Sequence, residues 1–161
     1  MREKFKESYF RNTPGYPSEE RMRRGKVAVI ECAEEIPCNP CETACPFGAI
    51  TVGYPITNLP VLHEDKCKGC GKCIPVCPGL AIFLLDLTYS EEEASLMIPY
   101  EFLPLPEKGE EVDCLDREGK PICKGRIVGV VPPEKNDRTA LVTFSFPKRY
   151  YKDVRNFRLK R

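Results

Sequence analysis

The amino-acid sequence predicts an α+β fold, in which a compact cysteine-rich domain is followed by a small β-barrel or β-meander. Two cysteine runs of nearly equal spacing fill the first half, and short β-branched segments flank them. The second half alternates apolar and polar residues around turn signals. The predicted segments are an N-terminal arm (1–25), the cysteine-rich domain (26–87), a linker (88–107), a small β domain (108–147) and a basic tail (148–161).

The high cysteine content and the single histidine favour metal binding over histidine-based catalysis. The chain has 161 residues, of which ten are cysteine and only one, His63, is histidine. It shows no signal peptide and no apolar stretch near the roughly 18 residues of a membrane span, so we expect a cytoplasmic protein. In that reducing compartment, clustered cysteines are typical of metal ligands. A single histidine offers little basis for histidine-based acid–base catalysis. We expect His63 to be a surface or hydrogen-bonding residue.

The arm and the first strand precede the cysteines. Ser18 is a candidate N-cap for a short helix that carries Glu19 and Glu20 in its first turn. The segment "KVAVIEC" over Lys26–Cys32 is rich in β-branched residues and predicts the first strand of the cysteine-rich domain. Its counterpart in the second cysteine unit is "LPVLHEDKC" over Leu59–Cys67.

The second cysteine run has the spacing C-x2-C-x2-C-x3-C-P, with Cys67, Cys70, Cys73 and Cys77 followed by Pro78. This is the ligand spacing of the bacterial [4Fe–4S] loop. Cysteines two residues apart on a tight loop wrap one face of a cubane, and glycines between them let backbone N–H groups approach the sulfurs. A structural zinc site is the alternative, but such sites usually pair two C-x2-C units that are well separated in sequence.

The first cysteine run is an imperfect copy of the second. Subtracting 32 from the positions of the second run gives Cys38, Cys41 and Cys45, which indicates an internal repeat. The first ligand position falls on Glu35, whereas Cys32 lies three residues earlier. Three outcomes are open: Cys32 reaches the cluster through a longer loop, Glu35 supplies a carboxylate, or the cluster is [3Fe–4S]. We favour Cys32 because iron–sulfur sites select thiolate over carboxylate.

The fourth cysteine of such a loop points away from the other three, and in two-cluster proteins it binds the neighbouring cluster. The predicted cofactors are therefore two [4Fe–4S] clusters with crossed ligands. Cluster one takes Cys32, Cys38, Cys41 and Cys77. Cluster two takes Cys67, Cys70, Cys73 and Cys45.

The stretches "CNPCETACPFGAI" and "CKGCGKCIPVCPGLAI" resemble the two-cluster bacterial ferredoxin family over Val27–Leu85. That resemblance implies a ferredoxin-like dicluster domain of two short hairpins and two short helices, which moves single electrons. The longer combination "ECAEEIPCNPCETACPFGAI", "ITNLPVL" and "PYEFLPLPEKGE" resembles a narrower group. It is similar to small iron–sulfur subunits of FAD-dependent amino-acid or amine dehydrogenases of the proline, hydroxyproline or opine type.

The linker and the β domain carry no predicted cluster ligand. Ser90 with Glu93 fits a capping box for a short helix, but the neighbouring residues suit strands equally, so both alternatives stay open. Further on, a β-hairpin is predicted with Glu118–Gly119 at the centre of its turn. This register sets Cys114 opposite Cys123, and we expect a pair of half-buried apolar thiols, since two thiols are too few for a closed metal site.

Charge is segregated along the chain. Residues 1–30 hold eight Lys or Arg against four Glu, and residues 148–161 hold seven against one Asp. Residues 31–120 hold six against seventeen Asp or Glu. The basic ends are expected to be either solvated surfaces or surfaces that dock on a protein partner or an adjacent lobe, because no nucleic-acid-binding motif accompanies them. The acidic middle would disfavour added electrons, which favours a low-potential carrier.

These observations predict a protein that carries electrons and has no catalytic site of its own. If every iron is bound by a protein thiolate, no iron has an open position for a substrate. The leading hypothesis is a non-catalytic subunit that relays electrons between FAD-containing dehydrogenase subunits and an external acceptor in a hetero-oligomer. The alternatives are a free ferredoxin-type carrier and an iron–sulfur sensor or nucleic-acid-binding protein.

Overall fold

The fold was analysed in a computed structural model that describes residues 6–160. The first five residues of the predicted arm and the last residue of the predicted tail therefore lie outside the described residues. Helices are few and short: α1 (Glu7–Arg11), α2 (Glu19–Met22) and α3 (Pro40–Ala44), with 3-10 turns at Pro133–Lys135 and Lys148–Tyr150. None of the helices in residues 6–160 has the length and apolar character needed to cross a membrane.

Strands dominate the described chain, and every strand pairing is antiparallel. Seven strands form one sheet in the order β1-β4-β5-β8-β7-β6-β9, and β2 pairs with β3 separately. The strands are β1 (Val27–Ile30), β2 (Ile50–Thr51), β3 (Val61–Leu62), β4 (Ile82–Asp86), β5 (Glu93–Tyr100), β6 (Glu111–Leu115), β7 (Pro121–Val131), β8 (Ala140–Pro147) and β9 (Asn156–Leu159).

The large sheet is open, so the predicted β-barrel is not confirmed. Strand β1 lies at one edge and β9 at the other, and neither pairs with a second neighbour within the described residues. A barrel would require its first and last strands to pair with each other. Instead β6, β7 and β8 follow one another as a meander, and β5 joins β8 to β4 in the cysteine-rich half.

The predicted linker (88–107) contains strand β5, which resolves the open choice between helix and strand. The side chain of Ser90 accepts a hydrogen bond from the Glu93 backbone N–H at 2.9 Å, as a capping box predicts. No helix follows, because the Ser90 N–H donates to the Glu93 carbonyl at 3.2 Å and closes a turn between β4 and β5. The hydrogen bond from the Glu93 N–H to the Ser90 hydroxyl therefore stabilises a hairpin turn and not a helix start.

The arm packs onto the sheet and confirms its predicted cap. The Ser18 hydroxyl accepts from the Arg21 N–H at 3.1 Å at the start of α2. Met22 at the end of that helix is 1% exposed and belongs to the core. Helix α2 is therefore held at its start by the Ser18 cap and at its end by the burial of Met22.

The predicted basic tail contributes to the core of the sheet. Phe157 on β9 is buried, stacks on Tyr100 with ring centroids 5.0 Å apart, and meets Phe144 edge-on at 5.1 Å. Phe144 and Phe146 are both 0% exposed and supply the centre of the core. Among the predicted roles for the tail, the structure thus supports packing on an adjacent lobe for Phe157.

The hairpin between β6 and β7 has the predicted pairing of Cys114 with Cys123, but a register shift after Cys114 centres its turn on Arg117–Glu118, one residue before the predicted Glu118–Gly119. The Gly119 N–H donates to the Asp116 carbonyl at 3.1 Å, and Gly119 adopts φ +80°, which a residue without Cβ tolerates best. Cys114 faces Cys123 directly, the first buried and the second half-buried. A hydrogen bond between the two thiols, reinforced by burial, raises the pKa of Cys114. The predicted pair of apolar thiols is confirmed.

Candidate iron–sulfur centres

Two strand pairs hold the cysteine loops and decide which ends of the loops meet. Ile30 on β1 pairs with Ile82 on β4, so the start of the first loop lies beside the end of the second. Ile50 on β2 pairs with Leu62 on β3, so the end of the first loop lies beside the start of the second. The antiparallel pairing therefore crosses the two loops and exchanges their last cysteines.

One of the two sites is a cavity lined by four thiols. Cys45 from the first loop and Cys67, Cys70 and Cys73 from the second all face it. Small and aliphatic side chains form part of its wall: Ala28, Ala49, Ile50 and Leu84. Burial, followed by the neighbouring thiols of Cys67, Cys70 and Cys45, raises the pKa of Cys73 to about 12. These four cysteines are the set predicted for cluster two.

The other site gathers the remaining predicted ligands. Burial raises the pKa of Cys32, and the nearby thiols of Cys77 and Cys38 raise it further. Burial also raises the pKa of Cys41 to about 11, with the thiols of Cys77 and Cys38 adding to it. By contrast, Glu35 is exposed to solvent, whereas Cys32 is half-buried beside these thiols. The structure thus brings Cys32 to the site.

Backbone N–H groups donate to the sulfurs in a pattern that repeats. The Ala49 N–H donates to the Cys45 sulfur at 3.2 Å, and the Ala81 N–H donates to the Cys77 sulfur at 3.4 Å. Both pairs are four residues apart, and the second pair lies 32 positions after the first. A third bond runs from the Ala28 N–H to the Cys67 sulfur at 3.4 Å. Such bonds withdraw charge from the sulfur and set the potential of a bound cluster.

The donor sets fit iron–sulfur clusters in their chemistry. Each site offers soft thiol ligands, buried walls and N–H donors aimed at sulfur, which together suit an iron–sulfur group. Within residues 6–160, no three His, Cys, Asp or Glu side chains surround a single point closely enough to hold one metal ion. A four-iron cluster binds each thiolate to a different iron, so its ligands lie farther apart than those of one ion.

Gly69 is the residue whose size most tightly limits the second loop. It adopts φ +64°, and a Cβ at this position would lie 2.5 Å from the Lys26 Cβ and 2.9 Å from the Lys26 carbonyl oxygen. We expect Gly69→Ala to destabilise the protein by about 1–3 kcal/mol, because the loop must move away from strand β1. The denaturation midpoint of the anaerobically purified protein measures this change.

Gly79→Ala is the matched control for that prediction. Gly79 follows the same cysteine run, and a Cβ there meets nothing within 4 Å. Equal midpoints for the two variants would contradict the role assigned to Gly69.

Arg21 is a structural residue of the site that the sequence did not reveal. Its guanidinium donates to the carbonyls of Cys67 at 2.8 Å, Glu64 at 2.9 Å and Lys26 at 3.0 Å. It thereby ties helix α2 to the start of the second loop. The sequence near Arg21 does not distinguish it from the arginines that follow, because the carbonyls that it binds lie up to 46 positions away.

His63 has the hydrogen-bonding role expected of it. Its Nε2 lies 3.0 Å from the Thr51 hydroxyl across the β2–β3 pair, at an exposed position. The residue is not among those that line the cysteine cavity.

Known proteins resemble the chain over the cysteine-rich region. Residues 36–81 match the family model of the 4Fe-4S dicluster domain. The ferredoxin-type protein NapF of Haemophilus influenzae is 31% identical over 81 residues, which are 47% of this chain and 46% of that protein. The polyferredoxin-like subunit of an aliphatic sulfonate oxidoreductase from Pyrococcus furiosus is 42% identical over 53 residues, 33% of this chain and 30% of that subunit.

A further relative belongs to an ion-translocating complex. One component of the Na(+)-translocating ferredoxin:NAD(+) oxidoreductase complex of Acetobacterium woodii is 45% identical over 38 residues, 24% of this chain and 11% of that component. The chain spans less than half the length of these curated relatives. No solved structure matches it significantly. The similarities identify residues 36–81 as an iron–sulfur domain of the ferredoxin type, the kind of domain that carries electrons.

Proposed function

We propose that this chain is an electron-transfer subunit that carries two [4Fe–4S] clusters. The observation that supports this most directly is the crossing of the loops by the β1–β4 and β2–β3 pairs. In this proposal each site takes three cysteines from one loop and the fourth from the other. The set for cluster one is Cys32, Cys38, Cys41 and Cys77, and the set for cluster two is Cys45, Cys67, Cys70 and Cys73.

The ligand count favours electron transfer over catalysis. Four thiolates for four irons leave no iron open to a substrate, and a bound cluster of this kind takes up and returns one electron. The chain's own residues hold the group, bury it and donate N–H bonds to its ligands. We therefore place the chemistry of any substrate on a partner chain.

The partner we propose is a flavin-dependent dehydrogenase subunit. The flanks of the first cysteine run support it through their resemblance to subunits of amino-acid or amine dehydrogenases. Two relatives are themselves subunits of oxidoreductase complexes. In addition, strands β5 to β9 build most of the large sheet, which is more surface than a simple shuttle requires.

Anaerobic purification from the native host, with every bound chain identified, tests this partner. A stable complex with an FAD-containing dehydrogenase supports the proposal. A monomer supports the free ferredoxin-type carrier instead, and retention on nucleic acid that is lost with salt supports the sensor.

Replacement of Cys32 by serine tests the composition of cluster one. We expect Cys32→Ser to reduce the iron and acid-labile sulfide bound at that site and to leave the second site intact, because a serine oxygen is a harder ligand than a thiolate. Glu35→Gln is the control and should keep the wild-type iron content. If instead Glu35→Gln loses iron and Cys32→Ser does not, the carboxylate is the ligand.

A further inference from the structure

The site of cluster two opens to solvent beneath lysine side chains. Lys68 and Lys72 line the cavity together with its four cysteines, and Cys70 between them is exposed. Lys26 joins them, because its Cβ lies 2.5 Å from where a Cβ on Gly69 would stand. All three lysines are exposed, and together they form what we name the lysine rim.

The first cysteine loop carries exposed glutamates near a ligand of cluster one. Glu34 and Glu35 lie between Cys32 and Cys38 and are both exposed. The next residue, Ile36, is 50% exposed, so an apolar side chain stands among the charges. The two cysteine loops thus carry exposed charges of opposite sign.

These charges are not neutralised by neighbours. No ion pair within residues 6–160 involves any lysine of the rim or either of the two glutamates. By comparison, the nearby Arg24 is paired with Asp65 at 3.0 Å. Unpaired surface charges act over about 8 Å at physiological ionic strength, which is enough to orient an approaching protein.

We propose that the lysine rim docks an acidic one-electron carrier protein, which exchanges electrons with the chain at the site of cluster two. This inference rests on the proposed function. Complementary charge raises the rate of encounter, and the opposite sign at the other site repels the same carrier. Phe47, which also lines the cavity and is 44% exposed, supplies an apolar contact beside the lysines. One electron moves at each encounter, so the carrier is oxidised as the chain is reduced, or the reverse.

Electron exchange with flavodoxin, an acidic flavin carrier, tests the proposal by stopped-flow spectroscopy on the full cluster-containing chain. The double variant Lys68→Glu and Lys72→Glu should lower the second-order rate constant at least tenfold. For the wild type, the rate should fall as salt is added, and the variant should lose that dependence. With basic cytochrome c as the probe, the same variant should react faster than the wild type.

Lys108→Glu with Lys135→Glu is the matched control. Both lysines are exposed, lie in the second half of the chain, and form no ion pair within residues 6–160. This variant changes the net charge equally and should keep its rate within about twofold, because neither lysine lines the cysteine cavity.

The iron content and EPR spectrum of each variant separate two kinds of failure. If clusters are intact and the rim variant reacts with flavodoxin like the control, the docking proposal is wrong and the proposed function stands. If the wild-type protein holds no four-iron clusters, the proposed function is wrong, and the docking proposal falls with it.

Discussion

Glu31→Gln is expected to destabilise the folded protein by about 3–5 kcal/mol, because it leaves two buried arginines without their counterion. The Glu31 carboxylate accepts from Arg117 at 2.6 and 3.1 Å and from Arg155 at 2.8 Å. The side chains of Glu31, Arg117 and Arg155 are 10%, 6% and 8% exposed. Water therefore cannot replace the carboxylate once it is neutralised.

The electrostatics of this triad show how strongly the charges depend on one another. Burial would raise the pKa of Glu31, but the charge of Arg155 and the hydrogen bonds from Arg117 outweigh it and hold that pKa below its usual range. Burial lowers the pKa of Arg155, against the opposing charge of Glu31. The Arg155 guanidinium also lies 4.6 Å from the Phe83 ring centroid. Aromatic contact of this kind offsets only part of the cost of a buried cation.

Glu34→Gln, three residues along the same loop, is the control for this prediction. Glu34 is exposed, and its replacement should change stability by no more than about 0.5 kcal/mol. Denaturant titration of anaerobic protein measures both variants, and the iron content of each shows whether the neighbouring site is retained. Similar midpoints for the two variants would mean that the arginines do not need the carboxylate.

Cys77→Ser is expected to remove the iron of cluster one, although Cys77 belongs to the second loop. Likewise, Cys45→Ser should remove the iron of cluster two, although Cys45 belongs to the first. The reason is the crossed pairing of the strands, which sets the start of one loop beside the end of the other. Loss of one thiolate leaves one of the four irons without its predicted protein ligand.

The EPR spectra of two reference variants identify which cluster is lost. Cys41→Ser should damage cluster one and Cys73→Ser cluster two, because each lies in the middle of its own loop. The spectrum of Cys77→Ser should then match that of Cys41→Ser, and the spectrum of Cys45→Ser that of Cys73→Ser. The opposite matching would show that each loop keeps its four cysteines for its own cluster.

The cysteine loops were predictable because the spacing of their cysteines is local in sequence and typical of iron–sulfur ligands. In the second run, three cysteines with two residues between neighbours can surround a common centre, and the repeat at 32 residues predicts a second centre in the first run. The turn at Gly119 was predictable for the same reason, since its residues supply the conformation themselves. The crossing of the loops is also seen in the strands that flank them.

Other features depend on partners that are distant in sequence. Ser90 makes its predicted hydrogen bond to Glu93, and what turns that segment into a strand is the pairing of Ala94 with Phe146 on β8. The sequence of residues 88–107 alone does not predict that this segment pairs with β8. The predicted β domain (108–147) does not close into a barrel for a similar reason, because its outer strands pair with strands outside it: β8 pairs with β5, and β6 pairs with β9.

Strand β4 directly follows the second cysteine loop and is paired on both sides, with β1 and with β5. Cutting the chain after the cysteine-rich half would strip β5 from one flank and leave a row of bare N–H and C=O groups. An unpaired strand edge of this kind can pair with strands of other molecules and so promotes aggregation. The second half of the chain thus covers a strand edge of the cysteine-rich half and protects it from pairing with other molecules.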